Sequence, residues 1–479
     1  MKNTRQAGNG FRIERDSLGQ KAVPEAAYYG AQTARAVENY AISGLRASPS
    51  LIQAAAMIKL AAAEVNSELG VLDPEIARAI ARAAREVIGG QHHEQFVVDV
   101  FQAGAGVSFH MNVNEVLANR AIEILGGRRG EYTTVHPNDH VNFGQSTNDV
   151  FPTAMRLAAL LDLRLLDPAL RKLSRALQTK GDEFAEVIKA GRTHLVDAVP
   201  VRLGQEFHAY GVAVEKARAG IAQAADSLRE IGLGGTAAGT GLNTHPDYRQ
   251  RVAARLGEIS AERLRSADDL SAAMQSNLAM AQFSAALRNL ALELIRISND
   301  LRLLASGPNT GLHEIELPVL QPGSSIMPGK INPVMPEMLA MVAFQVVGND
   351  TATALAVQAG QLELNVMMPA MAFNTLFSLR ILSNAIGAFA DKCVKGVTPN
   401  DEQCLRYAHS TVALATALNP YIGYARAAEI ARESVRTGRT IPEIVRERGL
   451  LSSDQLDEIL DPERMTSPGL VPPSRKRAS

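Results

Sequence analysis

A long segment rich in glycine and proline carries the side chains best suited to chemistry. Residues 306–336 include six prolines and follow a helix-like pattern, and long loops inside a compact domain are usually functional. At the centre of this segment, residues 323–333 read GSSIMPGKINP. This stretch places the hydroxyls of Ser324 and Ser325, the cation of Lys330 and the amide of Asn332 on one loop.

The adjacent Gly329 and Lys330 suggest a phosphate-binding loop, but the spacing does not fit. A loop of the form GxxxxGK[ST] needs a first glycine at the position of Ser324 and a hydroxyl residue directly after the lysine. Ile331 follows the lysine instead, and Pro333 opposes the continuation of a helix from there. We therefore reject a nucleotide-phosphate site.

Three further segments combine polar side chains with helix-breaking residues. They are HPNDHVNFGQSTND at 136–149, GRTHLVDAVP at 191–200 and GGTAAGTGLNT at 234–244. Taken singly, Ser146–Asp149 is typical of a helix N-terminus, which also favours a bound anion. His194 by itself is typical of a structural histidine. The third segment has too many glycines for a helix, so by itself it predicts a linker, and the family resemblance described below implies a mobile active-site loop instead.

Long helices are expected to position these segments. Apolar residues spaced four and three apart run from Leu203 to Ile231 and again from Phe283 to Leu304, which predicts two long helices with matching seams. Residues 160–188 are also helix-like, although Pro168 should start or kink a helix there. Runs typical of strands are scarce. We therefore predict a mainly α protein built around a helix bundle.

Composition and charge narrow the function classes. Lys plus Arg total 49 and Asp plus Glu total 50, so no net field would draw the chain to nucleic acid or to an anionic membrane. The first twenty residues lack the apolar core of a secretion signal, and no apolar run reaches about 18 residues. Two cysteines argue against a disulfide framework. We expect a cytoplasmic protein with neither nucleic-acid nor membrane partners.

The chain is predicted to contain three domains. These are a mixed, mainly helical domain over residues 1–147, the long-helix bundle over 148–402, and a small helical domain over 403–479. The last ten residues, LVPPSRKRAS, are proline-rich and basic, which is typical of a disordered terminus. Nucleic-acid binding by this tail is a weaker alternative, because the chain shows no aromatic platforms for bases.

The loop sequence GSSIMPGKINP is similar to the signature of the aspartase/fumarase superfamily, which runs Gly-Ser-x-x-Met-Pro-x-Lys-x-Asn. The other three segments resemble the same superfamily, and the likeness extends from RIERDSLG near Arg12 to LNPYIGY near Pro420. It implies an all-α, three-domain fold with a central long-helix bundle. It also implies a homotetramer with a twenty-helix core, active sites that combine segments of three subunits, and no cofactor or metal.

The resemblance further implies a reaction and residue roles. Enzymes of this superfamily remove a proton next to one carboxylate of a dicarboxylic acid and expel ammonia or water from the neighbouring carbon. The aci-carboxylate intermediate requires a base and a dense set of donors. The implied catalytic residues are Ser324 as the base and His194 paired with Glu337. The implied substrate-binding residues are Ser108, Ser146, Thr147, Asn148, Thr193, Ser325, Lys330 and Asn332.

Two features bear on which reaction of the superfamily is expected. The opening VPEAAYYGAQTARAVENYAISG is closer to the ammonia-lyases, so we expect elimination of ammonia from L-aspartate to give fumarate. Val107 and His110 depart from the family, which usually has threonine and asparagine there. Because Val107 lacks a hydroxyl, hydration of fumarate and elimination from a substituted aspartate stay open as alternatives. A non-catalytic relative is the third alternative, although the implied catalytic residues are all present.

Overall fold

The computed structural model describes residues 10–469. The tail at 470–479, predicted to be disordered, lies outside the described residues. Ser48 and Asp73 cap the second and third helices by accepting backbone hydrogen bonds, and a proline follows each cap. The first part of the chain forms β1 (Phe11–Asp16), β2 (Gly19–Pro24), α1 (Ala31–Asn39), α2 (Pro49–Glu68), α3 (Pro74–Ile88) and α4 (Val107–Ile124).

Five long helices dominate the central part of the chain, as the bundle prediction requires. The elements there are α5 (Thr147–Glu183), β3 (Ile188–Thr193), β4 (Val196–Arg202), α6 (Leu203–Asp226), β5 (Glu230–Ile231), α7 (Tyr248–Ser260), β6 (Arg265–Ser266), α8 (Leu270–Gln275), α9 (Leu278–Leu304), β7 (Ile315–Glu316), α10 (Val334–Gln358) and α11 (Met368–Lys392).

The last part of the chain is a set of short helices with a small apolar core of its own. Its elements are β8 (Thr398–Pro399), α12 (Asp401–Ser410), α13 (Asn419–Ile422), α14 (Tyr424–Thr437), α15 (Ile441–Glu447) and α16 (Ser453–Ile459). Leu418, Ile430, Ile444 and Leu456 lie in that core. In residues 10–469 the strands pair only in twos, so the prediction of a mainly α protein is confirmed.

The apolar seams lie in the predicted helices. Every seam residue from Phe283 to Leu304 is buried in α9. The other seam is buried from Leu203 onward except at two alanines, but α6 ends at Asp226, and Ile231 lies in a short strand instead. The predicted end of this helix was therefore wrong by about one turn.

Proline does not start a helix at position 168. Helix α5 continues from Thr147 to Glu183 with Pro152 and Pro168 inside it. Leu166, Leu170, Leu173 and Leu177 are fully buried along this helix. We attribute the continuity to this burial, since an interior proline costs about 3 kcal/mol and each buried leucine contributes about 1.5–3 kcal/mol.

The chain divides into two compact units. Unit 1 comprises the chain up to Pro168 with Ala217–Leu292 and Val342–Asn384, and unit 2 comprises Ala169–Lys216, Glu293–Met341 and the chain from Ala385. In unit 1, α2 packs against α3 and α7, and α3 packs against α4. In unit 2, β3 packs against β4 and α12. The three domains predicted from the sequence stay a prediction.

Candidate active site

The segment from Gly323 to Asn332 is a closed loop in unit 2. The Gly323 amide donates to the Lys330 carbonyl at 2.9 Å, and the Asn332 side-chain amide donates to the Gly323 carbonyl. A Cβ at position 323 would lie 2.3 Å from the Lys330 carbonyl oxygen. Position 323 therefore requires glycine, and Asn332 closes the loop in addition to its predicted role in binding substrate.

Ser324 is held by the backbone of this loop. Its Oγ accepts hydrogen bonds from the amides of Ile326 at 3.2 Å and Met327 at 2.9 Å. Donors to an oxygen favour its ionised form, so the turn supplies part of what an alkoxide base needs. Ser324 is partly buried, whereas Ser325 and Lys330 are exposed on the same loop. The structure thus brings all four predicted loop residues together.

His194 lies at the tip of the hairpin formed by β3 and β4, next to the predicted Thr193. Thr193 pairs with Val196, so His194 and Leu195 are the two turn residues, and their φ angles are +56° and +59°. Such turns favour asparagine and glycine, because other residues in the left-handed region cost about 1–2 kcal/mol each. Backbone strain at an exposed tip is a mark of a functional position.

A buried ionic cluster anchors the strand that leads to this tip. Arg192 donates from Nη1 to both carboxylate oxygens of Glu314 at 2.9 Å. The Nζ atom of Lys189 donates to Glu206 at 2.9 Å and lies 3.3 Å from Glu314. Lys189 and Glu314 are almost completely buried. The cluster therefore fixes β3 within unit 2 and, through it, the position of His194.

Ser146, Thr147 and Asn148 form the beginning of α5 in unit 1. The Asn148 amide donates to Ser146 Oγ at 3.2 Å, and the Ser146 amide donates to Asp149 Oδ1 at 2.9 Å. Ser146 thus caps the helix through its hydroxyl, Asp149 satisfies the Ser146 amide in return, and the prediction of a helix N-terminus is confirmed. Since a helix N-terminus carries partial positive charge, the position also suits the anion binding that the resemblance implies.

Asp149 ties the glycine-rich loop at 234–244 to this helix N-terminus. Its Oδ2 accepts from the amides of Gly234 and Thr236, both at 3.0 Å, and Asn148 Nδ2 donates to the Ala237 carbonyl at 2.8 Å. Burial raises the pKa of Asp149 to about 6, against the lowering effect of the backbone donors and Lys59. The beginning of the loop is therefore fastened, and its predicted mobility stays a prediction.

A series of hydrogen-bonded side chains lies behind Thr147, and the sequence did not predict it. Lys59 Nζ lies 2.7 Å from His110 Nε2 and donates to Asn142 Oδ1 and Gln145 Oε1, both at 2.9 Å, while His110 Nδ1 lies 2.7 Å from Thr147 Oγ1. Lys59 and His110 are 0% and 2% exposed. The available signal was a single cation in an apolar helix, at MIKLAAA.

Burial lowers the pKa of both members of this pair, whereas nearby charges act on the two in opposite directions. Burial lowers the pKa of the Lys59 ammonium, although the charge of Asp149 raises it. Burial also lowers the pKa of His110, and the Lys59 charge lowers it further. The His110 imidazole is therefore neutral near pH 7.

Val107 and Ser108 occupy different environments at the beginning of α4. Val107, where the family usually has threonine, is 42% exposed, whereas Ser108 is 8% exposed. Ser108 thus does not take the surface position that Val107 leaves without a hydroxyl. Its predicted role in substrate binding stays a prediction.

His194 and Glu337 are not paired within one chain. Glu337 lies in the first turn of α10 and its amide bonds to the Pro333 carbonyl, and no ion pair within 4.0 Å joins it to His194 in residues 10–469. The pair therefore stays a prediction. Within the same described range, no group of three or more His, Cys, Asp and Glu side chains is arranged to hold a metal ion.

Comparison with known proteins defines the class of this protein. Residues 19–348 match the family described as Lyase, and residues 414–467 match the family described as Fumarase C C-terminus. The first match covers more than half of the chain. The chain therefore belongs to this lyase family, the aspartase/fumarase superfamily.

The similarity to individual relatives extends over nearly the whole chain. An aspartate ammonia-lyase of Bacillus sp. is 48% identical over 96% of this chain and 98% of its own length. A class II fumarate hydratase of Halobacterium salinarum is 50% identical over the same shares. The crystal structure of a fumarate lyase:delta crystallin from Brucella melitensis has a TM-score of 0.93 and 48% identity, covering 96% of this chain and 100% of that one. These matches confirm the predicted fold class.

Proposed function

We propose that the protein is a carbon–nitrogen lyase that eliminates ammonia from L-aspartate to give fumarate, in a reversible reaction. The observation that carries the proposal is the Ser324 turn, with two amides on Oγ, in a chain similar over 96% of its length to an aspartate ammonia-lyase. A serine base is useful only where its alkoxide is stabilised, and these amides act directly on that oxygen.

The chemistry follows from the residues on the loop and the helix terminus. Ser324 removes a proton from the carbon next to the side-chain carboxylate, which takes up the charge as an aci-carboxylate. Lys330 and Asn332 hold that carboxylate, the lysine as a point charge and the asparagine as a neutral donor. The carbon–nitrogen bond then breaks and the amine leaves as ammonia. Each well-aimed donor contributes about 10²- to 10³-fold in rate.

The remaining site residues are assigned to the other end of the substrate. Asn148 and His194, with Glu337 behind the histidine, are proposed to contact the amine. The other carboxylate is assigned to the hydroxyl cluster and the α5 N-terminus, whose partial positive charge favours an anion. The residues assigned to that carboxylate are Ser325, Ser146 and Thr147, and Ser108 and Thr193 are proposed as further substrate contacts.

Hydration of fumarate is the second candidate function. The similarity to a fumarate hydratase is as high as that to the ammonia-lyase. Val107, which is 42% exposed, also offers no hydroxyl at the beginning of α4. Elimination from an N-substituted or otherwise altered aspartate is the remaining variant of the same chemistry. Such a substrate would need a larger pocket for its leaving group than ammonia does.

One assay separates these functions. Fumarate absorbance is followed with L-aspartate, L-malate and N-substituted aspartates offered separately. We expect turnover of L-aspartate that Ser324→Ala lowers by about 10²- to 10⁴-fold, while Ser410→Ala, at an exposed serine of α12, has no effect. Turnover of malate but not aspartate would replace the proposed function with the second candidate.

A homotetramer with composite active sites is proposed as the working form. Helix α10 is long and apolar enough to cross a membrane by length and composition alone, as the core helices of soluble proteins also can be. In one chain, however, only 39% of its most apolar 18-residue stretch is buried. Met341, Phe344 and Leu355 on this helix are 62%, 58% and 62% exposed. An apolar groove of 1060 Å³ in unit 1, lined by Leu165 and Phe377 among others, needs covering too.

Light scattering during size exclusion tests this proposal, and we expect four times the chain mass of 51.3 kDa. Persistence of the single-chain mass at micromolar concentration would contradict it.

The proposed location is the cytoplasm. Free, buried Cys393 and Cys404 support a reducing compartment.

A further inference from the structure

Thr147 stands at the end of a hydrogen-bonded chain that begins in the core of unit 1. Lys59 on α2, His110 on α4 and Thr147 on α5 are joined by two contacts of 2.7 Å, through the two nitrogens of the histidine ring. Lys59 and His110 are buried, whereas Thr147 is partly exposed. The chain thus connects a buried cation to a hydroxyl at the α5 N-terminus.

The amide side chains beside Lys59 fix which way its hydrogens point. The nitrogen of Asn142 donates to the Gln145 carbonyl, and the nitrogen of Gln145 donates to the Val141 and Phe143 carbonyls. The amide oxygens of Asn142 and Gln145 therefore face Lys59 as acceptors. In the ammonium form, which the Asp149 charge favours against the effect of burial on the Lys59 pKa, Lys59 has three hydrogens, so the third is directed at His110 Nε2.

This arrangement determines the tautomer of His110. Because Nε2 accepts from Lys59, the ring proton of the neutral imidazole lies on Nδ1 and is donated to Thr147 Oγ1. The titratable groups that act on this pair from neighbouring helices are Asp149 on α5, which favours the lysine charge, and through it Tyr248 on α7. The opposite tautomer would require an uncharged lysine, the form that burial favours and the Asp149 charge opposes.

We propose that His110 is a positioning residue: by donating to Thr147 Oγ1, it leaves the threonine hydroxyl hydrogen free to donate to a carboxylate of the substrate. Within residues 10–469, His110 is the described partner of that hydroxyl. A preorganised donor needs no reorientation when the anion binds. The identity of the substrate rests on the proposed function, but the hydrogen-bond chain does not.

The tautomer can be measured without any turnover. Solid-state NMR of the intact protein labelled with ¹⁵N-histidine distinguishes Nδ1–H from Nε2–H, and a His110→Gln sample identifies the signal. We expect the Nδ1–H form. An Nε2–H form would overturn the proposal, because Thr147 would then have to donate its own hydrogen to the ring.

Steady-state kinetics and ligand binding test the same hydrogen bonds between Lys59, His110 and Thr147. Thr147→Val should raise KM for L-aspartate about tenfold and weaken succinate binding by a similar factor, with kcat changed less than about threefold. His110→Phe should reproduce these changes, and the double variant should lose no more than Thr147→Val alone. His110→Gln, whose amide can accept from Lys59 and donate to Thr147, should recover most of the loss. His93→Gln, a histidine that contacts the Val87 carbonyl, serves as the matched control.

Each result decides between positioning and a merely structural role. Losses that multiply in the double variant, or an equal loss in His110→Gln with a lowered melting temperature, would overturn the proposal. If His110→Phe does not fold, the tautomer and the Gln variant still decide. If the wild type is silent with L-aspartate, the proposed function fails, while the NMR and the binding of succinate still test His110.

Discussion

At the scale of single residues, the backbone prepares two side chains of this site in different ways. Ser324 Oγ receives two amides from its own turn, so the loop favours the charged form of the residue that must lose a proton. His194 is presented by a strained two-residue turn, which projects the imidazole from the end of a hairpin. In both cases local geometry, rather than a buried partner, makes the residue suitable for chemistry.

Site residues that lie close together along the chain could be predicted from the sequence. Residues brought together only by the packing of different helices could not. Ser324, Lys330 and Asn332 lie within one motif, so spacing alone brought them together. Lys59 and His110 come from different helices, and nothing in either segment identifies the other as its partner. Val107 and His110 were visible only as departures from a pattern, and the structure separates them, since Val107 is exposed and His110 is buried.

A partly buried carboxyl outside the active site gives a pH-dependent prediction for stability. Asp162 accepts from Ser50 Oγ at 3.0 Å, and burial raises its pKa from 3.8 to about 6. Between these two values the folded chain keeps a proton that the unfolded chain releases. The contribution of this group to the free energy of unfolding is therefore complete only below pH 3.8 and is lost as the pH rises through 6.

Replacing that carboxyl removes the titration. Relative to Asp162→Asn, wild-type stability should fall by about 2 kcal/mol as the pH rises from 4 to 6, within a total of about 3 kcal/mol between pH 3 and 7, and then stay level. Thermal unfolding midpoints of both proteins across this range provide the measurement. Asp268→Asn, at an exposed position, controls for the loss of a charge. A stability gap independent of pH would show that Asp162 is ionised throughout.

At the scale of elements, the strand that presents His194 depends on a buried acid. Glu314 is 0% exposed and contacts both Arg192 and Lys189. Glu314→Ala should lower the free energy of unfolding by about 3–5 kcal/mol, because it removes the only carboxylate bonded to Arg192 in the described residues and leaves the buried Lys189 with Glu206 alone. Glu316→Ala, two residues further along the chain in β7 and with a side chain 63% exposed, is the matched control in denaturant titrations. Equal effects of the two variants would contradict the claim that the ionic cluster anchors β3.

The active-site loop depends on one glycine. Gly323→Ala would place a Cβ 2.3 Å from the Lys330 carbonyl oxygen, so the loop cannot keep both of its closing hydrogen bonds. We expect kcat/KM for L-aspartate to fall by at least about 10²-fold, since misplacing catalytic groups by about 1 Å has that effect. Circular dichroism should stay that of the wild type. Gly220→Ala is the control, at an exposed glycine of α6 with no atom within 4 Å of its added Cβ, and it should leave activity intact. Equal activity of the two variants would contradict the predicted clash between a Cβ at position 323 and the Lys330 carbonyl.

The elements were predictable from periodicity, but their ends were not. The seam in α9 matches the helix from Phe283 to Leu304 because one apolar face is buried along its whole length. Beyond Asp226 the same spacing continues into a short strand, where burial and not helix geometry accounts for the apolar residues. Of the two predictions for Pro168, a helix start was wrong, because local propensity was weighed without the burial that sustains α5, and a kink stays a prediction.

At the scale of the whole molecule, the predicted site residues divide between the two compact units. Ser108, Ser146, Thr147 and Asn148 lie in unit 1, whereas the hairpin and loop residues from Thr193 to Glu337 lie in unit 2. The lack of a His194–Glu337 pair in one chain is what composite sites would produce. No sequence pattern fixes which copies contribute which segments, since that depends on the surfaces that meet.

Composite sites predict that two inactive variants restore each other. Ser324→Ala and His194→Ala damage different segments, so a mixed tetramer can assemble some sites from two intact segments. If the segments come from different subunits, random mixing should restore about a quarter of wild-type activity. Co-expression with two affinity tags and sequential purification isolates the mixed species for the fumarate assay. Ser324→Ala mixed with Lys330→Ala should recover nothing, because both changes lie on one loop, where every copy is already damaged. Recovery in neither mixture would place both segments on the same subunit and contradict the composite site.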